Sequence, residues 1–178
     1  MTRLLFVCTA NRVRSPFAEA VARRRLDPAA VQVGSAGFLE GGVRAVSEMT
    51  SAASRLGYDL SAHRSRTVDA ALLTDSDLVV AMTGAHVVDL VALAPDVADR
   101  TLTLRELAAA AADDPLPPVA DATALRAWAA RATNRSLHDL LQEHLDVVDP
   151  HGGPRRGYRR AAADIEQLLL DALGTTQG

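Results

Sequence analysis

Residues 4–19 read LLFVCTANRVRSPFAE. Leu4, Leu5, Phe6 and Val7 are four consecutive strand formers, the pattern of a strand buried on both faces in a covered parallel sheet. Cys8 closes that run. Ser15-Pro16 opens a helix, because a serine oxygen can cap free amides and proline tolerates the first helical turn. Cys8 to Arg14 is therefore a strand-to-helix turn. Its amides and the positive end of the helix dipole form a concave seat for an anion. A thiol in that setting, beside a cation, is a nucleophile. Arg14 ends the turn with a planar guanidinium that can grip two oxygens of a tetrahedral anion and gains complementarity as phosphorus becomes trigonal-bipyramidal. A phosphoryl group is the simplest such anion. A lone cysteine packed as a small hydrophobe is the bland alternative, and it leaves the Arg-Ser-Pro that follows without a reason.

Cys8-Thr9-Ala10-Asn11-Arg12-Val13-Arg14-Ser15 resembles the low-molecular-weight protein tyrosine phosphatase family, whose signature near the N-terminus is Cys, five residues, Arg, then Ser or Thr. The resemblance implies an α/β fold: a three-layer, doubly wound sheet of four parallel strands with flanking helices. It also implies a cysteinyl-phosphate intermediate, no metal or cofactor, and a downstream Asp-Pro pair carrying the general acid. Asp149-Pro150, after Val147-Val148, is in the position the resemblance demands. The implied catalytic set is Cys8, Arg14, Ser15 and Asp149, with Ser15 donating to the sulfur. Thr9, Ala10, Asn11, Arg12 and Val13 would bind the substrate, and Phe38, after the Ser35-Ala36-Gly37 turn, would line the entrance. His63, in a His-x-x-Arg segment ending at Arg66, would hold Asn11. Asparagine also tolerates the positive φ that a loop with inward amides requires.

Three features depart from the family pattern. Val13 stands where many members have a second cysteine able to form a disulfide with the nucleophile. Arg12 favours anionic groups beside the phosphate and suits a cationic leaving group such as phosphoarginine poorly. His151-Gly152-Gly153-Pro154 replaces the adjacent tyrosines that often sandwich the substrate ring, leaving Phe38 or Tyr158 as substitutes. The expected substrate is a phosphotyrosine-containing protein or another phosphomonoester, with phosphate and other oxyanions as ligands. An arsenate reductase using an external small thiol shares the architecture and needs only one cysteine. A non-catalytic phosphate- or partner-binding module is the alternative outside enzymes.

With 178 residues and 48% hydrophobic content, residues 1–178 read as one domain. The net charge of −3 argues against a general nucleic-acid binder. No apolar run approaches the roughly 20 residues that span a bilayer, so no membrane partner is expected. A single free cysteine suits the reducing cytosol and excludes an internal disulfide or thiolate metal cluster. All 19 basic residues are arginine, which leaves no lysine for a Schiff base or a Walker loop.

Along the chain, Val31 to Ala36 reads as a second strand and Val43 to Leu56 as a helix ended by Gly57. Asp77 to Met82 reads as a third strand. Thr83 to Leu93 reads as a helix carrying His86, Leu90 and Leu93 on a packing face, and Thr101 to Leu104 as a fourth strand. This is the alternation of a parallel sheet with crossover helices. Residues 105–148 form a helical excursion longer than the family's. Within it Leu137, Leu140, Leu141, His144, Leu145 and Val148 have the spacing of an amphipathic helix, either a packing element or a lid. Arg155, Arg156, Arg159 and Arg160 open a last helix docked by Ile165, Leu168, Leu169, Ala172 and Leu173. Thr175 to Gly178 is expected to fray.

Overall fold

Side chains alternate across a strand, and strand β1 (Thr2–Cys8) uses the alternation to separate two cores. Leu4 and Phe6 enter the larger one with Leu78, Val80 and Leu102. Leu5 and Val7 enter the smaller one with Val79 and Ala81. The structure is a computed structural model describing residues 1–174, so the expected fraying of Thr175 to Gly178 lies outside it.

Strands β1, β2 (Val31–Gly37), β3 (Leu78–Ala81) and β4 (Thr101–Thr103) form one sheet in the order β2-β1-β3-β4, and every pairing is parallel. The expected doubly wound, three-layer α/β fold is therefore present. The order reverses beside β1. Ligand sites of such sheets lie outside the carboxyl ends of strands at this switch point, which is where Cys8 lies.

Helix α1 (Arg14–Arg25) packs Phe17, Ala18, Val21 and Ala22 on the larger core. The next helix is shorter than its sequence pattern suggests. Val43 to Val46 are drawn into loop pairings: Ser65 N donates to Val43 O and Val46 N to Arg12 O, while Arg44 bridges to Arg64. Helix α2 (Ser47–Arg55) starts only after them. Helices α3 (Ala70–Thr74) and α4 (Gly84–Leu93) cover the smaller core with Leu73, Val87 and Leu90; Leu93 is exposed.

Residues 105–148 are helical in their first part and irregular in their last. Helix α5 (Leu104–Asp113) begins at a Thr103–Glu106 capping box. Helix α6 (Ala122–Ala132) buries Leu125, Trp128 and Ala129 in the larger core, and the indole Nε1 donates to Asp114 O. Arg135 then donates to Thr101 O on the edge strand, which blunts an edge that otherwise offers free backbone groups. The amphipathic helix expected from Leu137 to Val148 is not there. Helix α7 stops after Leu137–Leu140, a 3-10 turn spans Glu143–Leu145, and Leu137, Leu141 and Val148 are exposed. Tertiary bonds stop it: Gly84 N donates to Asp146 Oδ1 and Val147 N to Met82 O. A continuous helix would pull both away. Helix α8 (Arg155–Leu173) docks through Ile165, Leu169 and Ala172, with Leu168 and Leu173 partly buried beside them. No helix among the described residues is long and apolar enough to cross a membrane.

Candidate active site

Cys8 ends β1 with its side chain buried, and Arg14 and Ser15, also buried, begin α1. The turn between them closes around Asn11, whose φ is +51°, the conformation its side chain tolerates. Four contacts hold that strained residue. Asn11 Nδ2 donates to Ser15 Oγ (2.9 Å) and Ser35 Oγ (2.7 Å), Arg66 N donates to Asn11 Oδ1 (2.8 Å), and His63 Nε2 donates to Asn11 O (2.8 Å). Ser35 in turn donates to Glu19.

Ser15 does not cap α1, although Ser-Pro suggested it; the helix has no side-chain cap. Its hydroxyl instead lies 3.1 Å from Cys8 Sγ and 3.3 Å from Ala36 O. One proton serves one acceptor at a time, and a thiolate draws it more strongly than a neutral carbonyl.

Gly37 brings the neighbouring strand end against the turn. A Cβ there would lie 2.6 Å from Asn11 N and 2.8 Å from Cys8 O, and these backbone atoms cannot yield without reshaping the turn. Gly37→Ala is therefore expected to cost about 1–3 kcal/mol of stability and to lower turnover more than a surface Gly→Ala change. Thermal melts and kinetics on purified protein would check this; an unaltered melt would show that the strand end can withdraw.

Arg14 is where distant segments meet. Nη1 donates to Val147 O (3.0 Å), and Nη2 donates to Asp149 Oδ2 (2.6 Å) and Thr9 Oγ1 (3.3 Å). Its Nε is buried and has no hydrogen-bond partner among the described residues. Leaving a buried charged donor unmatched is costly, and an incoming oxyanion would relieve it. Asp149 is 40% exposed at its side chain and accepts from His151 N through Oδ1. The turn thus offers a thiol, a hydroxyl, a guanidinium and a carboxylate around one concave backbone.

A sequence profile described as Low molecular weight phosphotyrosine protein phosphatase matches residues 3–121. The chain belongs to this family. A low molecular weight protein-tyrosine-phosphatase, Etp, from Escherichia coli K12 is 37% identical over 101 residues, 56% of this chain and 66% of that protein, slightly under two thirds of its length. A protein-arginine-phosphatase from Geobacillus stearothermophilus is 29% identical over 168 residues, 94% of this chain and 90% of that protein. The solved structure of the YwlE arginine phosphatase from Geobacillus stearothermophilus matches with a TM-score of 0.73 at 27% identity, covering 97% of this chain and 91% of that one.

Within this phosphatase family chain, Arg12 is half-buried and donates through Nε to Arg44 O, and Val13 is buried. Ala10 is half-buried, while Thr9 is exposed. Phe38 is half-buried and stacks on His86, with centroids 5.6 Å apart and planes at 24°. Tyr158 is buried and its hydroxyl accepts from Gly152 N, so it is not the free ring that a substitute for the tyrosine pair would need. Two contributors were not legible as such. Ser35 reads as part of a turn, yet it is a direct partner of Asn11. His86 reads as a packing residue, yet its Nε2 lies 3.0 Å from Thr9 Oγ1. The available signal for His86 was its place, one turn into the helix that follows a buried strand, at the sheet's carboxyl edge.

Proposed function

We propose that the protein is a cytosolic phosphomonoester hydrolase of the protein tyrosine phosphatase type, working through a cysteinyl-phosphate intermediate without metal or cofactor. The observation that carries this reading is the buried Arg14, which holds Asp149 and Thr9 through Nη2 while Nε has no acceptor among the described residues, at the lip of the turn that contains Cys8. In the first step Cys8 Sγ attacks phosphorus as the P–O bond to the leaving group breaks. Amides of Thr9 to Arg14 and the Arg14 guanidinium take the equatorial oxygens. Asp149, in its protonated form, gives the leaving oxygen its proton. In the second step a water attacks the phosphocysteine, Asp149 takes the water's proton, and the thiolate leaves toward the Ser15 hydroxyl. Residues 1–178 act here as one domain, with 105–148 returning the acid loop to Arg14.

Support for an ester hydrolase over a thiol-linked arsenate reductase comes from Asp149, because thiol attack on arsenate has less need of a leaving-group acid. Asp149→Asn is expected to slow hydrolysis of a poor leaving group such as phenyl phosphate by about 100-fold, and of p-nitrophenyl phosphate by under about tenfold. Equal losses on both would remove the acid role.

Phosphoarginine is the second reading, favoured by the arginine phosphatase that is similar over 94% of this chain and by the burial of Tyr158. Arg12 beside the seat opposes it, since a leaving guanidine carries positive charge. Matched phosphotyrosine, phosphoserine and phosphoarginine peptides decide between them: preference for phosphotyrosine supports the first reading and preference for phosphoarginine the second.

A further inference from the structure

His86 lies outside the signature turn, yet three contacts tie it to the chemistry. Its Nε2 is 3.0 Å from Thr9 Oγ1, and that oxygen accepts from Arg14 Nη2, the same nitrogen that holds Asp149. Its ring is clamped against Phe38, whose own N donates to Thr9 O at 2.8 Å. Its backbone is fixed as well: His86 N donates to Thr83 Oγ1, the N-cap of α4, and Gly84 N donates to Asp146 Oδ1. A Cβ on Gly84 would lie 1.9 Å from Leu140 O, so residues 105–148 press directly on this helix start.

We infer that His86 is a positioning residue for the reaction: clamped by Phe38, it holds the Thr9 hydroxyl against Arg14 and so sets the guanidinium for the phosphoryl oxygens. The inference rests on the phosphatase reading above. A hydroxyl can accept two hydrogen bonds and donate one. A Thr9 free to rotate would release Arg14 Nη2 in some rotamers and compete for it in others. Fixing that oxygen from the far side leaves Arg14 one arrangement, and prepaid orientation of this kind raises the rate of the chemical step more than it tightens ground-state binding. Burial, and then the nearby Arg14, push the imidazole down to about 4, with Asp89, Asp146 and Asp149 pulling the other way. The ring is thus neutral at pH 7 and adds no second cation beside Arg14. Its Nδ1 is buried without a partner among the described residues, so the bond between Nε2 and Thr9 is the ring's one side-chain hydrogen bond there.

A double-mutant cycle tests this. His86→Phe keeps a ring on Phe38 and removes the bond to Thr9; Thr9→Val removes the hydroxyl and keeps the shape. Each single change is expected to lower kcat on p-nitrophenyl phosphate about tenfold, the size of one ordinary hydrogen bond, with KM and inhibition by inorganic phosphate shifted under about threefold. The double variant should match Thr9→Val within about twofold, since the hydroxyl through which His86 acts is already gone. Multiplying losses, or a His86→Phe protein with wild-type kinetics, would overturn the inference. Imidazole 15N shifts read the same contact without needing activity or a folded His86 variant: the Nε2 resonance should move in Thr9→Val, and an unmoved resonance refutes the contact. An inactive wild type with a moved resonance would instead fault the phosphatase reading.

Discussion

Cys8→Ser is expected to remove turnover of p-nitrophenyl phosphate by a factor on the order of 10⁴ or more, while the protein stays folded and still binds inorganic phosphate. The two side chains differ by one atom. Cys8 is buried at 2% exposure, so serine fits the site with little repacking. What it loses is the nucleophile, because an alcohol supplies almost no anion at neutral pH and makes a poor leaving group in the second step. The amides of the turn and Arg14 remain, so phosphate affinity should change only a few-fold. Steady-state kinetics without metal, paired with calorimetric phosphate titration, gives both numbers. Turnover that survives the substitution would place the nucleophile elsewhere and end the phosphocysteine mechanism.

Arg14→Lys is expected to lower kcat/KM on the order of 10³-fold even though the charge is kept. Arg14 holds Val147 O through Nη1, and Asp149 and Thr9 through Nη2, and its Nε has no partner among the described residues. A lysine ammonium is one compact charge that cannot match that planar fork. It would leave Val147 O without its side-chain donor and would meet the phosphoryl oxygens at a single point. Because the fork fits the trigonal-bipyramidal state better than the ground state, turnover should fall much more than phosphate binding. If the two fall by the same factor, Arg14 contributes charge and not geometry. The substitution should also loosen the loop carrying Asp149, read as faster amide exchange near residue 149.

Much of this site was legible because its parts are local or carry fixed residue types. A strand, a cysteine, a short loop and an Arg-Ser-Pro form one continuous segment, so the sequence places the thiol, the concave turn and the guanidinium within a few residues of each other. Asn11 with φ of +51° follows from the same loop requirement. The link from His63 to Asn11 was expected from the family resemblance, and His63 Nε2 meets the Asn11 carbonyl at 2.8 Å. The four strands also appear within two residues of their expected ends, since apolar runs of that length have few other readings.

The misreadings have a common cause. Ser15-Pro16 has the composition of a cap, but the hydroxyl is claimed by Asn11 and lies beside the Cys8 sulfur, two partners seven or fewer residues away that no capping rule sees. Val43 to Val46 and Leu137 to Val148 have helical spacing, yet competing bonds to Arg12, Ser65, Met82 and Gly84 win.

The order of apolar and polar residues along this chain determined where strands run and which strand ends at Cys8, because burial patterning and loop chemistry are properties of short segments; that Asp149 belongs with Cys8 came from the family resemblance. Which surface each helix covers, where the 105–148 excursion stops being helical, and the reach of His86 to Thr9 emerge only in the folded chain. These depend on hydrogen bonds between residues tens of positions apart, whose partners become neighbours only when the sheet has formed.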